Sequence, residues 1–94
     1  MSAEKKFTDE EAKRIGDMLG IDWDEVKLRE FRMGLSVELE HGSRDPETDV
    51  TNNDEILTGK IALAHLREFA DYYTRLEKLE AEAEEYWSKV KFGT

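Results

Sequence analysis

The stretch Asp71-Tyr72-Tyr73-Thr74-Arg75-Leu76-Glu77-Lys78-Leu79-Glu80-Ala81-Glu82-Ala83-Glu84-Glu85-Tyr86-Trp87-Ser88-Lys89-Val90 decides the fold class. Tyr72, Leu76, Leu79, Ala83, Tyr86, Trp87 and Val90 form one apolar stripe at helical spacing, and nearly everything between them is charged. Asp71 precedes the stripe in the position of an N-cap. The simplest reading is a long amphipathic helix with its stripe in the core. Trp87 needs a covering surface, supplied either by its own domain or by a second copy of the chain.

Working outward, Asp54 is placed to cap a preceding helix from Glu55 to Phe69, with Thr58, Ile61, Ala62, His65, Leu66 and Phe69 on its core face. Before that, Leu28, Phe31, Leu35 and Leu39 share one stripe of a helix that runs to His41, with Gly42 as its stop. At the other end, Thr8 with Glu11 makes a capping box, Phe7 takes the staple position, and a helix from Asp9 to Leu19 buries Ala12, Ile15 and Leu19 before stopping at Gly20. Asp22 with Glu25 repeats the box and predicts one further turn through Val26. No alternating pattern competes, and Pro46 is the single proline.

The expectation is therefore an all-α fold: a small bundle of about four helices in one domain over residues 7–92, after a flexible tail at 1–6. A long acidic loop, Ser43 to Asn53, joins the second and third main helices. Gly34 and Gly59 stand inside predicted helices, where glycine costs about 1 kcal/mol against alanine. Close helix approach is the expected compensation.

Composition narrows the function classes. The chain has 94 residues, enough for one core, and no cysteine, which removes disulfides and thiolate metal sites. With 23 acidic and 14 basic residues the net charge is −9, which repels a phosphate backbone or an anionic membrane surface. No apolar run reaches the roughly 20 residues of a membrane span, and Met1 to Lys6 does not lead into the apolar stretch of a signal peptide. A cytoplasmic location is the default expectation.

Three constellations could carry chemistry. Asp45, Glu47 and Asp49 alternate like the opening of a calcium loop, but Val50 and Ile56 occupy the positions that need glycine and a bidentate glutamate. Glu38 with His41 makes Glu-x-x-His, and His65 with Glu68 makes the reverse. Together these four offer two imidazoles and two carboxylates to a single transition-metal ion. An antiparallel hairpin would hold the two pairs about 20 Å apart, and only a connection returning the chain in parallel would join them. Each histidine also has a structural reading: His41 at a helix C-terminus, His65 hydrogen-bonded on a core face. A His–carboxylate acid–base pair is the third constellation, but no nucleophile motif or phosphate loop accompanies it, and hydrolase or transferase chemistry is disfavoured. Asp45, Asp49 and Asp54 in and beside the loop, with Trp87, are the candidates for contacting a partner.

The motifs Phe31-Arg32-Met33-Gly34-Leu35, Val37-Glu38-Leu39-Glu40-His41-Gly42, Arg44-Asp45-Pro46, Val50-Thr51-Asn52, Thr58-Gly59-Lys60-Ile61-Ala62-Leu63-Ala64-His65-Leu66 and Asp71-Tyr72-Tyr73 occur in that order. They resemble a family of small uncharacterised bacterial, archaeal and phage proteins known as a domain of unknown function, over residues 7–82. The resemblance implies that the Glu-x-x-His and Ala-His-Leu pieces belong together; it implies no activity. Lys27 and Ala70 depart from the family pattern, where an acidic cap and a proline are expected. The preferred functional expectation is a non-enzymatic helical binding or adaptor domain with a protein partner and no resident cofactor. Pairing as a homodimer through the last helix is open, and the alternative is a metal-binding domain using the Glu/His pairs.

Overall fold

Thr8 opens the first helix as a two-way cap. Its hydroxyl accepts the Glu11 amide at 3.1 Å, and the Glu11 carboxylate accepts the Thr8 amide at 3.0 Å. The computed structural model describes residues 6–44, 46–47 and 49–93. Along them run α1 (Asp9–Met18), α2 (Leu28–Arg44), α3 (Glu55–Glu68) and α4 (Tyr72–Gly93), with no strand among the described residues. The protein is all-α.

α1 closes as its sequence implies. Gly20 takes the left-handed conformation (φ 76°), its amide bonds Asp17 O at 3.1 Å, and the Ile21 amide bonds Gly16 O at 2.9 Å. That bond pair is the Schellman closure, which needs a residue without a Cβ penalty at Gly20. The second box does not form. Asp22 Oδ1 accepts the Asp24 amide at 2.9 Å rather than that of Glu25, and one turn ends with the Val26 amide on Asp22 O.

Two boundaries depart from expectation. α2 continues through Gly42 to Arg44, and Gly42 lies buried against Thr51: a Cβ there would stand 3.0 Å from Thr51 Oγ1. Its missing side chain makes room for the returning chain instead of ending the helix. Ser43, predicted to open the loop, is helical, and its hydroxyl donates to Asn53 Oδ1 at 2.6 Å. The described remainder of the connection is tied down by Asp49, whose Oδ1 accepts the amides of Thr51 (3.2 Å) and Asn52 (2.8 Å), and by left-handed Asn52 and Asn53. Asp45, the other loop candidate, lies outside the described residues. α3 stops at Glu68. Phe69 turns extended (φ −141°), so its ring leaves the predicted core face, is 53% exposed, and carries the Arg75 guanidinium 4.6 Å above it.

The core lies where α1, α2 and α3 meet the first turn of α4, built from Phe7, Ile15, Phe31, Leu35, Ala62, Leu66 and Tyr73. Phe7 packs into it and its amide bonds Ser36 Oγ at 3.4 Å. α2 and α3 come together at Gly34 and Ala62. A Cβ on Gly34 would fall 2.5 Å from the Tyr73 ring and 3.0 Å from Ala62 Cβ; one on Gly59 would meet Leu19 Cδ1 at 2.8 Å and Ile15 Cγ2 at 3.1 Å. Both interior glycines are close-contact sites, with unequal neighbours. Tyr73 is a rigid ring in a packed core, whereas Leu19 Cδ1 is the far end of a flexible side chain. Gly34→Ala is therefore expected to cost about 1–3 kcal/mol by overpacking, despite alanine's better helix propensity. Gly59→Ala should cost less. A raised melting temperature in Gly34→Ala would refute the close packing.

Candidate functional site

Glu30, Gly34, Glu38 and His41 recur along α2 at four-, four- and three-residue intervals, which places them on one side of the helix. Every member of that row meets α4. Glu30, 4% exposed, accepts the α4 amides of Tyr73 (3.1 Å) and Thr74 (3.3 Å) on Oε1, and its Oε2 takes the Thr74 hydroxyl in a short hydrogen bond. Gly34 receives the Tyr73 ring. Glu38 Oε2 accepts the Tyr73 hydroxyl at 2.7 Å, and His41 Nε2 lies 3.6 Å from Glu80 Oε2.

The helix start of α4 is thus capped from 43 residues away. Asp71, the cap expected from sequence, points its Oδ1 at Arg75 Nε (2.7 Å) instead, and that hydrogen bond holds its carboxyl below the usual carboxylate range. A carboxylate on the free amides of a helix N-terminus gains both hydrogen bonds and the favourable end of the macrodipole, which compensates its burial.

One turn beyond Ala62, His65 completes a three-residue cluster. Its Nδ1 stands 3.0 Å from Glu38 Oε2 and 3.1 Å from the Tyr73 hydroxyl, and its ring stacks on Tyr72 with centroids 4.5 Å apart and planes 8° from parallel. Glu38 Oε2 thus stands within hydrogen-bond reach of both the Tyr73 hydroxyl and His65 Nδ1. Burial first, and then the Glu38 hydrogen bond, push the Tyr73 phenol well above its usual value, so Tyr73 stays a neutral donor. α2, α3 and α4 are locked together at this point.

The four metal candidates are only partly assembled. Glu38 and His65 converge, His41 faces Glu80 on α4, and Glu68 lies exposed at the last position of α3. Among the described residues no group of three or more His, Asp and Glu side chains is placed to hold a metal ion. Asp49 and Asp54 spend their carboxylates on backbone: Asp49 on the turn, and Asp54 Oδ1 on the amides of Ile56 (2.8 Å) and Leu57 (3.0 Å) at the start of α3.

Trp87 lies on the other notable feature, the distal part of α4. The predicted core stripe divides in two. Tyr72, Tyr73 and Leu76 pack on the body of the protein, and every residue from Glu77 to Val90 is exposed. Leu79 is 61%, Tyr86 59% and Trp87 64% exposed, with the last two rings edge to face, 5.1 Å apart. The reason is length. At about 1.5 Å per residue, a helix of 22 residues outruns its neighbours of 17 and 14, and the molecule is drawn out to 50 × 28 × 21 Å. Phe7 and α1 do not fold over this arm; Phe7 is in the core. At the arm's base the stripe meets a shallow apolar hollow of about 190 Å³ lined by Phe69, Tyr72, Arg75, Leu76 and Leu79. An apolar strip thus runs from Phe69 to Val90 with charged residues on both sides.

Sequence reasoning missed Glu30 and Tyr73. The signal was present in the four-residue recurrence of Glu30, Gly34 and Glu38, a polar row flanking a glycine that a solvated helix face would not need. A family model described as "Protein of unknown function (DUF5661)" matches residues 12–82. No curated protein and no solved structure matches the chain.

Proposed function

The chain belongs to that family of proteins of unknown function, and we propose that it is a non-enzymatic helical binding module whose contact element is the distal half of α4. The observation that carries this is the exposed strip itself. Leu79, Tyr86, Trp87 and Val90 are apolar, in line, and uncovered by any described part of the chain. A contiguous apolar patch of this kind, rimmed by charge, is what protein–protein interfaces use, and tyrosine and tryptophan are the side chains enriched at their energetic centres. The Glu30 cap and the Glu38–His65–Tyr73 lock give the arm a rigid base, so little freedom is lost when a partner docks on it.

Photo-crosslinking in cells tests this reading. A photoreactive residue at Ala83, on the strip, is expected to give a discrete protein adduct, and one at exposed Lys13 on α1 is not. The Ala83 adduct should disappear on Leu79→Glu, Trp87→Glu double substitution, which exchanges only exposed side chains. Equal adducts at both positions, or an Ala83 adduct indifferent to the double substitution, would end the proposal.

A further inference from the structure

We infer that the partner of the α4 arm is a second copy of this chain, lying antiparallel in a short two-stranded coiled coil. The inference rests on the arm being a binding surface and names its occupant. Leu76, Leu79, Ala83, Tyr86 and Val90 follow one another at spacings of three, four, three and four, which is the heptad repeat of a coiled-coil seam rather than the wider stripe of a core helix. Taking Leu76, Ala83 and Val90 as the a positions, Leu79 and Tyr86 are d, Glu80 and Trp87 are e, and Glu82 and Lys89 are g. The seam residues from Leu79 outward are the ones the body of the protein leaves exposed.

Charge selects the direction and the register. A parallel pair would hold the net-acidic segment Glu77–Glu85 level with itself and leave Glu82 without a cation, whereas an antiparallel pair can offset those segments and bring Glu82 to Lys89. Among antiparallel registers, the one that also engages Tyr72 and Leu76 puts Glu82 beside its own copy and Arg75 beside Lys89 of the other chain. Sliding by one heptad removes both clashes. Leu79 then faces Val90 of the other copy, Ala83 faces Tyr86, and Glu82 faces Lys89, each contact occurring twice about a two-fold axis. Small Ala83 opposite large Tyr86 keeps the layers even. Trp87 covers the aliphatic stem of Glu80 of the other copy. Tyr72 and Leu76 remain on their own core, and the last turn of the second arm comes to rest over the hollow between Phe69, Leu76 and Leu79. The two bodies sit at opposite ends of the paired arms. A seam of two heptads belongs to the small, reversible class of interfaces, below about 1,200 Å².

The test is the mass of the purified full chain by light scattering or sedimentation from low to high micromolar concentration. The expected result is a shift from monomer to dimer that Leu79→Glu abolishes. Glu82→Lys and Lys89→Glu should each weaken dimerisation about tenfold, because both contacts turn from attractive to repulsive, and the double variant Glu82→Lys, Lys89→Glu should restore it. Residues 82 and 89 are seven apart and do not touch within one helix. Glu85 lies within a turn of both and pairs with Lys89 at 3.1 Å, so the swap is also made on a Glu85→Ala background, where restoration reports the contact between chains. All these side chains are exposed in the monomer, and unchanged circular dichroism confirms that each variant folds. A strictly monomeric mass at high micromolar concentration, a dimer indifferent to Leu79→Glu, or a double swap that fails to restore association would each overturn the inference. A monomeric mass combined with a strip-dependent Ala83 adduct to another protein would overturn the second copy alone and leave the arm as a binding element.

Discussion

Glu30→Ala is expected to lower stability by about 3 kcal/mol, which in a domain of this size corresponds to a fall in Tm of roughly 10–20 °C. The buried carboxylate holds two amides and a hydroxyl at the start of α4, and alanine leaves all three donors without that acceptor. The charge also sits at the positive end of a helix of 22 residues. Glu30→Gln keeps an acceptor oxygen but not the charge, and should cost about 1 kcal/mol. Asp71→Ala is the control: Asp71 is exposed, its partner is Arg75, and an exposed i,i+4 pair contributes about 0.3–0.5 kcal/mol. Thermal or urea unfolding of the three variants decides the matter. If Asp71→Ala costs more than Glu30→Ala, α4 is capped locally and the row on α2 does not anchor it.

The second large effect is expected at Tyr73. Its ring is 1% exposed and fills the space left by Gly34, so Tyr73→Ala should cost about 3–5 kcal/mol through lost burial and the cavity behind it. Tyr73→Phe keeps the ring and removes only the hydroxyl. Glu38 retains His65, and the cost should be near 1 kcal/mol. The phenol also predicts a pH dependence. Its folded value is raised above the roughly 10 of the unfolded chain, first by burial and then by Glu38, so its contribution is fully present below pH ~10. Above that pH the unfolded chain releases the proton and the folded one does not, and stability falls by up to about 1.4 kcal/mol per pH unit. Denaturant midpoints measured from neutral into alkaline solution should fall less steeply in Tyr73→Phe than in the parent. Parallel curves would mean that Tyr73 ionises freely in the folded protein.

Much of the candidate binding surface was legible before any coordinates. The apolar stripe of α4, the presence of Tyr86 and Trp87 on it, and the shortness of the other helices are all in the sequence. Periodicity identifies the apolar side of a helix, however, and not what covers it. Covering depends on where neighbouring helices end and how they are angled. The same stripe therefore serves as core at Tyr72 and Leu76 and as free surface from Leu79 on. The Glu/His pairs show the converse. Spacing along each helix suggested two equivalent couples, but a side chain's partner across helices depends on the crossing point at Gly34 and Ala62. One turn beyond it, Glu38 and His65 meet, while His41 and Glu68 go elsewhere.

The sequence by itself determined the features whose energetics are local. The Thr8–Glu11 box, the Asp54 cap and the Gly20 closure each join groups within five residues of one another, and each formed as its local sequence implied. Only tertiary structure decided the rest. Gly42 continues a helix it was placed to end, and its missing side chain leaves room for Thr51 of the returning chain. Asp71 lost the α4 cap to Glu30 because a buried carboxylate from α2 reaches the same amides while Asp71 pairs with Arg75. The outer half of α4 stands free because a helix's length is written in its own residues, whereas its burial is written in those of its neighbours.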